Sequence, residues 1–135
     1  NEITKHVEVE GLLKQVFADI EERQALNDQD LFRLRLFYGS TLSASLGLID
    51  TGSVDRVQSK SGRVLYLVHG SMALPYVCFA HYCPCPSFSK SVINRPEALA
   101  CKHSLAVRIA AALKRHNNVE VEDAELTEYL MRDDR

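Results

Sequence analysis

Two short pairs, Cys83-Pro84-Cys85 and Cys101-Lys102-His103, bring three thiols and one imidazole into a single stretch of the chain. Soft sulfur donors with one ring nitrogen are the ligand set of a closed tetrahedral zinc site. Four protein ligands leave no open position for water or substrate. The chemistry expected here is therefore one structural Zn2+ ion held by Cys83, Cys85, Cys101 and His103, in a protein that is not an enzyme.

The spacing within each pair sets a demand on the backbone. Both cysteines of the first pair precede a proline, Pro84 or Pro86, which steers them away from helical angles and toward a short rigid hook that presents two sulfurs together. Residues two apart on a regular helix point to nearly opposite faces. Cys101 is therefore expected just before a helix and His103 in its first turn, where free amides also favour a thiolate.

Competing uses of these residues weigh less. Two disulfides would also use four cysteines, but a Cys83–Cys85 bridge closes a strained ring and no secretory signature is visible. A catalytic Cys/His pair lacks a third orienting group. The His-x-Glu and Pro-Cys-x-x-Cys signature of zinc deaminases is absent. Cys78 falls in a strand pattern and reads as a small buried apolar residue, with a substitute ligand role as the lesser option. His81 reads as a strand histidine, and His6, His69 and His116 as solvated.

Helices and strands must carry these pairs. Apolar residues at 9, 12, 13, 16, 17 and 20 form one stripe of a first helix. Asn27 and Asp28 can cap a second, which is kinked or broken near Gly39 and ends at Asp50-Thr51-Gly52. The period then changes to two. Ser53 to Ser59, Arg63 to His69 and Pro75 to Cys83 predict a three-stranded antiparallel meander. Beyond the zinc hook, a helix is predicted over Ser104 to Lys114, with Lys114-Arg115-His116-Asn117-Asn118 as its cationic end, and a last short helix from about Asp123 to Met131. The fold class expected is α+β, in one folded unit with three parts: helical residues 1–52, a zinc module at 53–118, and an acidic helix or tail at 119–135.

Composition agrees with one domain. In 135 residues, 46% apolar content suffices for a single core without disulfides. Residues 1–82 carry 8 basic against 10 acidic side chains, residues 83–116 carry 6 against 1, and residues 117–135 carry 2 against 7. The cysteine-bearing part is thus the basic part. No run of 18 apolar residues occurs and the first ten residues are polar and acidic, so neither a membrane span nor a secretion signal is expected and the chain reads as soluble and intracellular.

The Cys-x-Cys, gap, Cys-x-His pattern resembles the SWIM zinc finger. Leu36-Phe37-Tyr38-Gly39-Ser40, Leu48-Ile49-Asp50, Ser61-Gly62-Arg63 and His81-Tyr82-Cys83-Pro84-Cys85-Pro86-Ser87-Phe88 extend the resemblance over nearly the whole length, to the SWIM-domain subunits of Shu complexes. That resemblance implies a nuclear scaffold. It would pair with a RecA-fold recombinase paralogue and promote recombinase filament assembly or persistence on single-stranded DNA during homologous recombination. No Gly-x-x-x-x-Gly-Lys-[Ser/Thr] occurs, so any ATP-driven step belongs to a partner.

Two surfaces follow as expectations. The second helix carries Leu31, Leu34 and Tyr38 on one stripe and Phe32 and Leu36 on another; a single core needs only one, unless both are buried within the fold, and the resemblance tips the reading toward a partner contact among Leu31, Phe32, Leu34, Leu36 and Tyr38. Lys90, Arg95, Lys102, Arg108, Lys114 and Arg115 supply the positive segment, with Lys90, Lys102, Arg108 and Arg115 the candidate phosphate contacts. Aromatic residues are sparse beside them, so DNA contact is expected to be weak or indirect. The alternative reading is a stand-alone SWIM nucleic-acid-binding module.

Overall fold

The computed structural model describes residues 2–71, 73–88 and 99–132, and of residues 2–7 the backbone path. The expected first helix is α1, Glu2–Arg23, whose Leu13, Val16, Phe17 and Ile20 form the buried stripe. It stops at Gln24, which takes a left-handed φ of 56° and caps both Glu21 and the far end of the zinc-side helix through its amide.

The second predicted helix is two. Asn27 and Asp30 form a reciprocal capping box at the start of α2, Asp28–Tyr38. Gly39 then turns at φ 60°, and α3, Thr41–Asp50, sets off in a new direction. That φ is open to glycine and strained for other residues, which is why the break falls here.

The sheet contains the expected meander and adds a strand to it. β1, Val54–Ser59, pairs antiparallel with β2, Val64–Val68, across the Lys60-Ser61-Gly62 turn, and β2 pairs antiparallel with β3, Tyr76–Cys78. Among the described residues these are three of four strands. β4, Asn117–Val121, lies parallel to β1 from Asp55↔Asn117 to Ser59↔Val121, giving the order β3-β2-β1-β4. Residues 117 and 118, read from sequence as a helix cap, instead open a strand. Lys114, in the left-handed region at φ 56°, ends the preceding helix and redirects the chain toward the β1 edge. The third strand is also shorter than expected, stopping at Cys78.

Strand alternation feeds two cores. On one face Val57, Leu65, Leu67, Val77 and Val121 meet Leu126 of α5, Asp123–Met131, the last helix where the sequence predicts it. On the other face lies α4, Lys102–Leu113, buried nearly all round between the sheet and the N-terminal helices. Its Leu105, Ile109 and Leu113 pack with Leu13, Ile20, Leu34, Ile49 and Val54. Each such fully buried side chain stabilises the fold by about 2 kcal/mol. The hydroxyl of Ser45 in α3 donates to the carbonyl of Lys102 at 2.8 Å, which pins the start of α4, where the second ligand pair sits.

Candidate metal centre

The first pair is placed by the end of β3. Phe79 and Tyr82 exchange both backbone bonds, at 2.9 and 3.2 Å, around a two-residue Ala80-His81 turn. The chain returns as the Cys83-Pro84-Cys85-Pro86 hook. The sulfur of Cys85 accepts from the Phe88 amide at 3.4 Å, and Phe88 packs beside both cysteines under the hook.

The second pair is placed by a helix start. Cys101 has extended angles, φ −85° and ψ 170°, and is the N-cap of α4: its sulfur accepts from the Ser104 amide at 3.3 Å. His103 lies in the first turn with its Nδ1 3.7 Å from the Cys83 sulfur and its ring 4.7 Å from that of Tyr76. Both positions are those the spacing predicts.

The four ligand atoms of Cys83, Cys85, Cys101 and His103 all lie within 4.8 Å of one another, and all four residues are buried. Zinc–sulfur bonds of about 2.3 Å in a tetrahedron put sulfurs nearly 4 Å apart, so the cluster has the right dimensions. Proton affinities show how strongly the groups compete. Hydrogen bonds from Cys83 and then Cys85 hold the Cys101 thiol far below its ordinary range, while the bonds to Cys101 push Cys83 and Cys85 up. Burial lowers the His103 value, but hydrogen bonds with Cys101 and Cys85 outweigh it and raise it to about 9. A divalent cation at the common centre would displace these protons, so metal affinity weakens as the pH is lowered.

Comparison with known proteins adds the family. The chain is 39% identical to zinc finger SWIM domain-containing protein 7 of Mus musculus, over 94% of this chain and 85% of the mouse protein. The human protein of the same name is 36% identical over 91% of this chain and 89% of its own length. The chain belongs to the zinc finger SWIM domain-containing protein 7 family. A Dictyostelium discoideum homolog is 28% identical over 93% of this chain. No family model and no solved structure matches it.

In this SWIM-family chain the three-sulfur, one-nitrogen cluster suits one zinc ion. Three thiolates and a neutral imidazole around a divalent ion leave one negative charge, held in place by the Ser104 and Phe88 amides. Cys78 is fully buried in the same apolar cluster, as expected, but its sulfur lies 3.5 Å from that of Cys83, a proximity the sequence reading missed. The proximity comes from the register of the Phe79↔Tyr82 turn, for which Ala80-His81 carries no turn signal in the sequence.

The predicted surfaces divide. Leu34 and Tyr38 are buried and Leu31 is half-buried, whereas Phe32 and Leu36 are 61% and 69% exposed on the outer face of α2. Of the candidate phosphate contacts, Lys90 lies outside the described residues, as does Arg95. Lys102 is exposed beside the hook, and Arg115 lies 3.6 Å from Asp50 at the surface. Arg108 is turned inward: it meets Glu10 at 2.6 Å and stacks on Phe17 at 4.3 Å. Its charge is already matched inside the molecule. His81 is exposed at the tip of the turn, and His69 pairs with Asp55 at 2.8 Å. Among the described residues no helix is long and apolar enough to cross a membrane.

Proposed function

We propose that this chain is a non-enzymatic, zinc-built scaffold subunit of a Shu-type complex in the nucleus. It pairs with a RecA-fold recombinase paralogue and favours assembly or persistence of a recombinase filament on single-stranded DNA in homologous recombination. Membership in the SWIM family and the resemblance to Shu-complex subunits over nearly the whole length motivate the reading. The observation that carries it is the pairing of a four-donor cluster, buried and with no position left for substrate, with an outward apolar pair, Phe32 and Leu36, on a helix at another part of the molecule.

In this reading Cys83, Cys85, Cys101 and His103 hold the ion, which supplies shape. The hook then locks β3 to the start of α4, and α4 in turn supports the three N-terminal helices through Leu105 and Ile109. The partner supplies ATP chemistry and most of the contact with DNA, since Arg108 is occupied by Glu10.

Tagged chain is recovered from cells, its zinc measured, and its companions identified. One zinc per chain and a RecA-fold protein are expected, with the companion lost and the zinc kept in a Phe32→Asp, Leu36→Asp double variant. Zinc without any RecA-fold companion would sink the scaffold reading. Steeply salt-dependent binding of single-stranded DNA by the purified chain alone would favour the stand-alone nucleic-acid module.

A further inference from the structure

The Phe79↔Tyr82 pair exchanges both of its backbone hydrogen bonds, so it is a hydrogen-bonded rung of a two-residue hairpin. The next rung position outward from that isolated bridge sets 78 opposite 83. In an antiparallel pair that rung is of the other kind, with Cα atoms about 4.5 Å apart and side chains closest together on one face. The hairpin therefore aims Cys78 at Cys83, and their sulfurs lie 3.5 Å apart in a fully buried setting.

A thiol has one proton to donate. Within reach of Cys78 are the Tyr76 carbonyl at 3.7 Å and the Cys83 sulfur at 3.5 Å. When Cys83 is a metal-bound thiolate it is the charged acceptor of the two, and hydrogen bonds to ionised acceptors are roughly twice as strong. We propose that Cys78 is a positioning residue of the metal centre: its S–H donates to the Cys83 thiolate, spreads the negative charge of the three-thiolate set, and slows loss of the ion.

The geometry separates this role from ligation. The four ligand atoms of Cys83, Cys85, Cys101 and His103 converge on one centre. Cys78 approaches that set through Cys83, from the strand side. The ligand set is complete without it, and outer groups that hydrogen-bond to ligands typically change metal affinity 10- to 100-fold.

The test compares the chain with Cys78→Ala, which removes the donor, and Cys78→Ser, which restores one. Each is loaded with Co2+ to read the sulfur-to-metal charge-transfer band, and with zinc to time its transfer to a chromogenic chelator. Alanine is expected to move the charge-transfer band to lower energy with the tetrahedral ligand-field bands unchanged, and to speed zinc release on the order of 10-fold. Serine is expected to recover most of both. Identical band energies and release rates in the chain and its alanine variant would overturn the proposal. So would a serine variant as fast as alanine, since packing alone would then explain the loss. Should alanine fail to hold the metal, the serine variant decides: release within about threefold of the parent supports a donor role, and a 10-fold acceleration overturns it. The inference rests on the cluster holding a metal. Failure of the parent chain to bind Co2+ would remove both the site and the role of Cys78, whereas a bound parent with indifferent variants removes only the latter.

Discussion

Among the described residues, two buried polar clusters can be set side by side, and they differ in what they lack. Near the α1–α2 turn, Asp30 is fully buried, yet its carboxylate accepts from the Arg23 and Arg33 guanidinium groups and from the Asn27 amide, while Asn27 in return caps the Asp30 amide at 2.8 Å. Every acceptor there has a donor from the chain itself. At the hook, four electron-pair donors, Cys83, Cys85, Cys101 and His103, converge within 4.8 Å with no lysine or arginine among them. The first cluster matches its carboxylate with cations of its own, Arg23 and Arg33, although the Arg33 Nε is left without a partner among the described residues; the second calls for a cation. A buried cluster of anionic groups therefore points to a metal when the chain supplies no fixed cation to match it.

The sharpest way to break that contrast is to remove one group from each side. Cys85→Ser should have the largest effect. Structural zinc contributes on the order of 10 kcal/mol in isolated fingers, comparable with the whole stability of a domain this size. The variant is expected to lose its zinc and unfold around the hook, and a strong chelator should do the same to the unmodified chain. Zinc content and thermal melts with and without chelator measure it. A serine variant that melts normally with one zinc bound would erase the distinction between the clusters.

Asp30→Asn should do less, lowering stability by about 2 kcal/mol through lost charge-assisted bonds to partly exposed arginines. Its signature is pH. Burial works against the charged Asp30, but the bonds from Arg23, the Asn27 amide and Arg33 together hold its carboxyl below the usual value of 3.8. A depressed carboxyl stabilises the fold above the unfolded value and loses that contribution as pH falls through the folded one. Urea titrations carried down through pH 3.8 should therefore show a loss in the parent that the asparagine variant lacks. Chelator should leave the difference between parent and variant unchanged, and a chelator-dependent difference would mean that the two clusters are coupled.

Arg108→Ala is the smallest of the three. The side chain is 14% exposed, pairs with Glu10 and covers Phe17. A loss of about 1 kcal/mol is expected, and a double-mutant cycle with Glu10→Gln should show that most of it belongs to the pair. No loss at all would return Arg108 to the surface charges available for phosphate.

Much of this architecture was legible because its signals are local. The α1 stripe, the Asn27 cap, the span of α5 and the placement of Cys101 and His103 about a helix start each depend on residues within a turn or two of one another. The ligand set belongs to the same class, since Cys-Pro-Cys-Pro restricts its own backbone. Choices among distant partners were not legible. β4 has a single buried residue, Val121, and becomes a strand only by lying along β1 more than 60 positions away. Arg108 leaves the basic surface because Glu10, 98 residues earlier, is brought beside it. Two stripes on α2 are equally apolar in sequence, and packing of α1 and α4 selects Leu34 and Tyr38 for the core. Cys78 gains its neighbour from a hairpin register. Short-range propensities and ligand chemistry are written residue by residue, whereas pairing, facing and burial follow from which arrangement of the whole chain buries the most apolar surface with its polar groups satisfied.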